Sequence, residues 1–488
     1  MDGHLPSFEY LDSACGALAM FGLRAIKDTS EHAASYYAAT VNQTAAYPML
    51  TENLSCDVVV VGGGFSGVNT AVELSERGLE VVLLEANRIG WGATGRNGGQ
   101  IIGGIGHTPE RFKKSIGETG ISAIYQMGVE ARDIIRDRVA TYEIDCDLKW
   151  GYCDVALKPK HMKQFAAWQA WEKTIGNPHP YTLLDAQELK SVVNSERYLG
   201  GLYNTANGHV HPLNLCIGEA EAASQLGAKI FEQSRVIKLI HGDQPIVETE
   251  YGRIQAKEIV LAGNAYMGDL VPKLSARVLP SASSVIATEP LSVDVAKAIL
   301  PGDVAVCDPR TALDYFRLSA DRRLLFGGLS NYTGMEPSNL IPVMKKKMTG
   351  IFPDTADVGI DFAWSGWIGI GINRMPQLGR LADNVRYLQA YSGHGVAPTH
   401  MMAKITAESI AGESSRFETM ANISHMAFPG GRLFRRPALA DRNGLLQSAR
   451  PTISAWRITL EPISMPMRGY KHRGLDAPSP LLSTQASS

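Results

Sequence analysis

The sequence lacks the features that mark a nucleic-acid binder, a membrane protein or a disulfide-stapled one. Among 488 residues Lys and Arg total 47 and Asp and Glu 49, a formal net charge of −2, so no basic field draws in nucleic acid or an anionic bilayer. Six cysteines, at positions 15, 56, 146, 153, 216 and 307, make no Cys-x-x-Cys pair and no metal-ligand spacing. Neither a disulfide framework nor a metal site is expected, and unpaired thiols suit a reducing cytoplasm. No apolar run reaches the roughly 18 residues needed to span a bilayer. The first such stretch, Ala14 to Leu23, lacks a basic leader and is cut by Arg24, so no signal segment is expected. A small-molecule partner is left as the default.

What is present suits an ordinary globular enzyme: 45% hydrophobic and 20% charged residues, in a chain long enough for one large or two medium cores. Residues 1–54 read as an N-terminal arm with a helix near Cys15 to Lys27. The first firm signal is the β-branched run Asp57 to Val61, short enough for a buried parallel strand, which leads into Gly62-Gly63-Gly64-Phe65-Ser66-Gly67. Val68, Ala71, Val72 and Ser75 then share one helical face up to a cap at Gly78, and Val81 to Leu84 forms a second strand ending at Glu85 and Ala86. Together these make a βαβ unit. Gly62, Gly64 and Gly67 satisfy G-x-G-x-x-G in the setting that gives the pattern meaning, with a tight turn, a close pyrophosphate approach and a helix start that attracts phosphate. Glu85, placed to accept from ribose hydroxyls, disfavours a 2′-phosphate.

Directly after it comes Thr94-Gly95-Arg96-Asn97-Gly98-Gly99, a loop whose backbone N–H groups can lie against a flat ring or phosphates. Farther on, a helix is expected at 215–226, with strands at Ile246 to Thr249, Ile254 to Ala262 and Val285 to Thr288. Tyr315 to Leu318 and Leu324 to Gly327 read as a hairpin about Ser319 to Arg323, and Val385 to Tyr391 as a last strand before a helix from about Thr399 to Ala411. The Lys345 to Lys347 run reads as a solvated helix face. From Asp441 onward periodicity fades, and 441–488 reads as a loose tail. No second G-x-G-x-x-G has strand and helix context, so a built-in NAD(P)H site is not expected.

The chain resembles the glycine oxidase and D-amino-acid oxidase family of flavoproteins over roughly residues 55–415. Four ordered blocks carry the likeness: the fingerprint with Glu85, the Thr94–Gly99 block, Ile259 to Ala265 including Gly263, and Gly393-His394-Gly395. Ser35 to Thr40, Leu313 to Asp321, Phe326-Gly327-Gly328 and Phe428 to Gly431 are similar to the family's γ-glutamylputrescine oxidase branch. The resemblance implies α/β plus α+β architecture, with a Rossmann-type FAD-binding domain (55–110, 205–275, 375–415) interleaved with a mainly antiparallel-sheet substrate domain (111–204, 276–374), and a C-terminal segment at 416–440. It implies non-covalent FAD, since the loop after Thr94 offers no His or Cys for attachment. The fingerprint residues with Phe65 and Ser66 would hold the pyrophosphate, and Glu85 with Ala86 the ribose. Arg96, Asn97, Gly98 and Gly99 would meet the flavin, Val236, in a strand before Ile237, the adenine, and Gly263, Gly393, Gly395 and Val396 further parts of the cofactor.

For chemistry, Tyr315 and Arg317 share a strand face and, with His394, are the candidate catalytic side chains. Arg317 reads two ways, as a fork gripping a substrate carboxylate or as an ion pair with Asp314 or Asp321. Trp364 and Trp367 are channel walls or core aromatics. The expected reaction is oxidation of a γ-glutamylated or polyamine C–N bond, with O2 or a separate carrier as acceptor. Alternatives are a sarcosine-type or D-amino-acid oxidase, a non-catalytic FAD-binding assembly protein, and an NAD-dependent dehydrogenase.

Overall fold

A computed structural model describes residues 23–42, 46–174, 179–310, 313–429 and 431. The β-branched run forms the strand Leu54–Val61, buried from Val58 to Val61. A strand buried on both faces needs parallel neighbours covered by crossovers, and it has them: Val81–Leu84 on one side and Arg253–Leu261 on the other. The sheet runs Gln377–Ala382, Val385–Gln389, Arg253–Leu261, Leu54–Val61, Val81–Leu84, Lys229–Phe231, with Ile246–Glu248 and Lys238–Ile240 added antiparallel at one end of Arg253–Leu261.

The helix Phe65–Glu76 packs against both Pro212–Gln225 and Val396–Ile410, which buries it from Phe65 to Ser75. Its polar side therefore faces protein instead of water, and Asn69 and Glu73 need partners. His400 Nε2 lies 2.7 Å from Glu219 Oε1, Asn69 Nδ2 donates to Glu219 Oε2 at 2.8 Å, Arg138 bonds Asn69 Oδ1, and Arg138 Nη2 donates to Glu73 Oε1 at 2.7 Å. That chain of contacts ties four helices together beneath the glycine turn.

A second sheet runs Ile360–Ile370, Leu279–Thr288, Leu324–Asn331, Tyr315–Leu318, Ala305–Cys307, Lys149–Val155, Gly200–His209, Gln100–Ile101, with Tyr181–Asp185 beside Gly200–His209. All its pairings are antiparallel except Ala305–Cys307 with Lys149–Val155. One face packs Cys153, Val306, Phe316 and Phe326 against Leu340, Met344 and Met348 of the helix Leu340–Thr349. The other carries Tyr152, Cys307 and Tyr315.

Several expectations need correction. Gln100–Ile101 and Gly200–His209 belong to the second sheet, although 55–110 and 205–275 were assigned to the nucleotide-binding part; the long Gly200–His209 strand pairs across that boundary with Lys149–Val155. Of the helix expected near Cys15 to Lys27, residues 1–22 lie outside the described residues, and Leu23–Ala25 is a strand paired with Met335–Pro337. Val236 is not in a strand but in the link between Lys229–Phe231 and Lys238–Ile240. Lys347 turns from solvent to pair with buried Asp314. The tail from Asp441 lies outside the described residues.

Candidate active site

Where Leu54–Val61 ends, the backbone turns with Gly62 at φ +114° and enters the helix at Gly64, its N-cap. A Cβ on Gly67 would sit 1.8 Å from the Gly62 carbonyl oxygen, so the helix start can lie this close only with glycine there. Thr94 Oγ1 accepts from Phe65 N at 3.0 Å, while the N–H groups of Ser66 and Gly67, in the first turn, have no intrahelical acceptor. Ser66 Oγ is 2.7 Å from the Tyr391 hydroxyl, so its side chain fastens the turn to the last strand's end, leaving its N–H for a ligand. The carbonyl of Ala262, next to Gly263, lies against Gly62 on the other side.

Glu85 accepts from Gly63 N at 2.6 Å through Oε2 and from Asn87 N at 2.9 Å through Oε1, bridging its neighbour Ala86. Burial raises its carboxyl pKa and these N–H groups oppose the rise. A carboxylate has about four acceptor sites, so two remain for a ribose diol. Ser234 N donates to the Glu85 carbonyl at 2.8 Å, which brings Val236 to the same end of the sheet.

The glycine loop begins as a single turn, Ala93–Arg96. Asn97 Nδ2 donates to Thr94 O at 2.7 Å and its Oδ1 accepts from Gly99 N at 2.7 Å, which pins the turn that follows. Gly98 lies flat on Tyr315: an added Cβ would be 2.2 Å from that ring. Arg96 is buried, with Nε donating to Trp91 O at 2.9 Å, its guanidinium 4.2 Å over the Trp91 ring, and Nη1 donating to Ser365 O at 3.3 Å. Its Nη2 has no hydrogen-bond partner among the described residues, a buried donor that a bound group's oxygen or nitrogen would satisfy. Trp364 Nε1 donates to Arg96 O at 3.0 Å, and Trp367 stacks on Tyr266, so both tryptophans brace the loop and its surroundings.

Arg317 corrects both of its readings. Nε donates to Gly98 O at 2.8 Å, Nη1 to Leu318 O at 3.1 Å, and Nη2 to Val210 O at 2.7 Å and the Tyr37 hydroxyl at 3.2 Å. Four of five donors are used, so it neither pairs with Asp314 or Asp321 nor has a fork to offer a carboxylate; it clamps the glycine loop. Asp314 instead pairs with Arg310 and Lys347, and Asp321 with Arg323 at 2.7 Å.

Tyr315 and His394 are half-buried. Burial raises the phenol's pKa and lowers the imidazole's, so both are neutral near pH 7. His394 Nε2 is 3.2 Å from Ile102 O, and the ring sits 6.0 Å from that of His107. Gly393, at φ +85°, turns the chain so that Gly395 caps the helix Val396–Ile410 with no side-chain capping hydrogen bond. Sequence reasoning missed Trp91, Tyr266, Tyr37 and His107. The first two carried a signal, as aromatics one residue after Gly90 and three after Gly263; Tyr37 lay in the Ser35–Thr40 block of the resemblance without a role assigned to it, and His107 carried none.

A glycine-only turn at a helix start, a buried acid at the end of the next strand and a glycine loop clamped by Arg317 are the arrangement expected of an FAD protein, and this is an FAD-dependent oxidoreductase. The chain belongs to the FAD dependent oxidoreductase family DAO, whose model matches residues 57–409. It is 42% identical over 413 residues to the γ-glutamylputrescine oxidoreductase of Escherichia coli K12, covering 84% of this chain and 96% of that one. A probable oxidoreductase of Haemophilus influenzae is 37% identical over 83% of this chain and 94% of its own. Glycine oxidase from Bacillus cereus shares the fold, with TM-score 0.63 at 18% identity, over 76% of this chain and 99% of that one. No described helix is long and apolar enough to cross a membrane.

Proposed function

We propose that the protein oxidises the C–N bond of a primary amine on a γ-glutamylated or polyamine-like substrate, using non-covalent FAD with O2 as acceptor. The support from similarity is the relative named above. The observation that carries the reading over the amino-acid and N-methyl amino-acid alternatives is Arg317: its donors are spent on Gly98, Leu318, Val210 and Tyr37, so it is not free to grip a carboxylate on or beside the reacting carbon, where those substrates carry one and a γ-glutamyl amine, whose carboxylate is at the far end, does not.

In this reading Gly62, Gly64 and Gly67, with the N–H groups of Ser66 and Gly67, hold the pyrophosphate, the Phe65 N–H being spent on Thr94 Oγ1, and Glu85 holds the ribose, while Arg96 to Gly99 shape the ring's bed. Bound FAD supplies the hydride acceptor. Neutral Tyr315 and His394 keep the wall uncharged, which favours the uncharged amine needed for C–H transfer, and Tyr315 orients it. His394 positions the Gly393–Gly395 turn so that the N-terminus of Val396–Ile410 faces the pole where negative charge develops. Buried, unpaired Cys56, Cys146, Cys153, Cys216 and Cys307 suit the cytoplasm.

The test is an anaerobic titration of the holoenzyme with γ-glutamylputrescine, putrescine and sarcosine, followed by air and a peroxide assay. Bleaching of the flavin bands by γ-glutamylputrescine, reversed by air with peroxide release, is expected. Bleaching by sarcosine alone would overturn the substrate class, and reoxidation only by an added carrier would overturn the oxidase assignment.

A further inference from the structure

On the sheet face beside the glycine loop, the register aligns one residue from each of six neighbouring strands in a row: Asp154, Cys307, Tyr315, Gly327, Val285 and Trp364. In-register partners project to the same face of a sheet. Gly98 presses on the row at Tyr315, and Trp364 reaches the loop through Arg96 O. Asp154 lies two strands away from Tyr315, past Cys307, in the apolar patch made by Tyr152, Ala305 and Cys307 with Ile102 against it.

An acid has no packing reason to be there. Among the described residues no Lys, Arg or His forms an ion pair with it, and Oδ2 is buried with no hydrogen-bond partner; only nearby Tyr152 favours its charged form. The residue as a whole is half-buried, not fully enclosed. Burial without a counter-ion pushes its carboxyl up to about 7. An incoming cation would supply the missing partner and draw off the proton.

Taking the amine-oxidase reading as its basis, we infer that Asp154 is the receptor for the distal ammonium of the substrate, at the end of this row of side chains and two strands from the residue on which Gly98 lies. Two strand spacings separate it from Tyr315, roughly 10 Å. An extended chain of about eight bonds covers that reach. A γ-glutamyl amide of putrescine places about that many bonds between its reacting carbon and the carbon bearing its α-ammonium, whereas free putrescine is too short to touch both ends.

The test compares two non-oxidisable probes on holoenzyme, γ-glutamylbutylamide and glutarylbutylamide, which differ only in the α-ammonium. Binding is read by perturbation of the flavin spectrum and by calorimetry. Wild type is expected to prefer the ammonium-bearing probe by roughly 10- to 100-fold, the range for a hydrogen bond to a charged group. Asp154→Asn, with unchanged FAD content, is expected to bind both probes equally and to show a raised KM for γ-glutamylputrescine with a smaller change in kcat. Asp154→Ser serves as a second variant should the first fail to fold. Equal binding of the two probes by wild type, or retained discrimination in a folded variant, overturns the assignment. Failure of the amine-oxidase reading looks different: wild type discriminates between the probes, yet γ-glutamylputrescine never bleaches the flavin.

Discussion

Replacing Arg317 with lysine separates a loop clamp from a substrate grip. The guanidinium makes four hydrogen bonds, three of them to the carbonyls of Gly98, Val210 and Leu318. An ammonium on a shorter, unforked stem can serve about two of these acceptors at once. Roughly two buried acceptors lose a charged donor, at about 1–3 kcal/mol each, for a total near 4 kcal/mol. If about half of that falls on the Gly98–Gly99 loop, FAD binds roughly 30-fold more weakly. The assay is flavin retained per protein after dialysis, with fluorescence titration of the apoprotein, beside KM for amines with and without a carboxylate. Arg317→Lys is expected to lose flavin and thermal stability and to affect all substrates alike. A variant that keeps its flavin and its stability, yet loses affinity only for carboxylate-bearing amines, would refute the clamp.

Two further outcomes follow from the same geometry. Gly67→Ala forces a Cβ to within 1.8 Å of the Gly62 carbonyl, so the turn must open; soluble protein should purify almost free of flavin, checked by its visible spectrum. Asp154 ionises near 4 when unfolded and at about 7 when folded, so the folded state holds the extra proton between those values. Its destabilising effect therefore grows as pH rises from about 4 to 7 and is constant above, with an upper size on the order of 4 kcal/mol. Asp154→Asn should be more stable than wild type at pH 8 and equal to it below pH 4, by denaturant melts at both pH values.

The parts whose physics is local could be read from the chain alone. A β-branched run before glycines and a helical period predicts strand, turn and helix, and the structure has Leu54–Val61, Phe65–Glu76 and Val81–Leu84 there. The hairpin about Ser319 to Arg323 was legible for the same reason, since its turn residues and alternation lie within one short window. The family was legible too, because its glycine blocks are contiguous. Tertiary structure alone decided what Arg317 does, since its acceptors at Val210, Gly98 and Tyr37 lie 107, 219 and 280 residues away. It also decided that the polar side of Phe65–Glu76 is buried, because that depends on which helices cover it. Asp154 in its strand looks like any solvent-facing acid in an alternating pattern. Only sheet register sets it in line with Tyr315, because strand order is a property of pairings between distant segments, which no local window of residues contains.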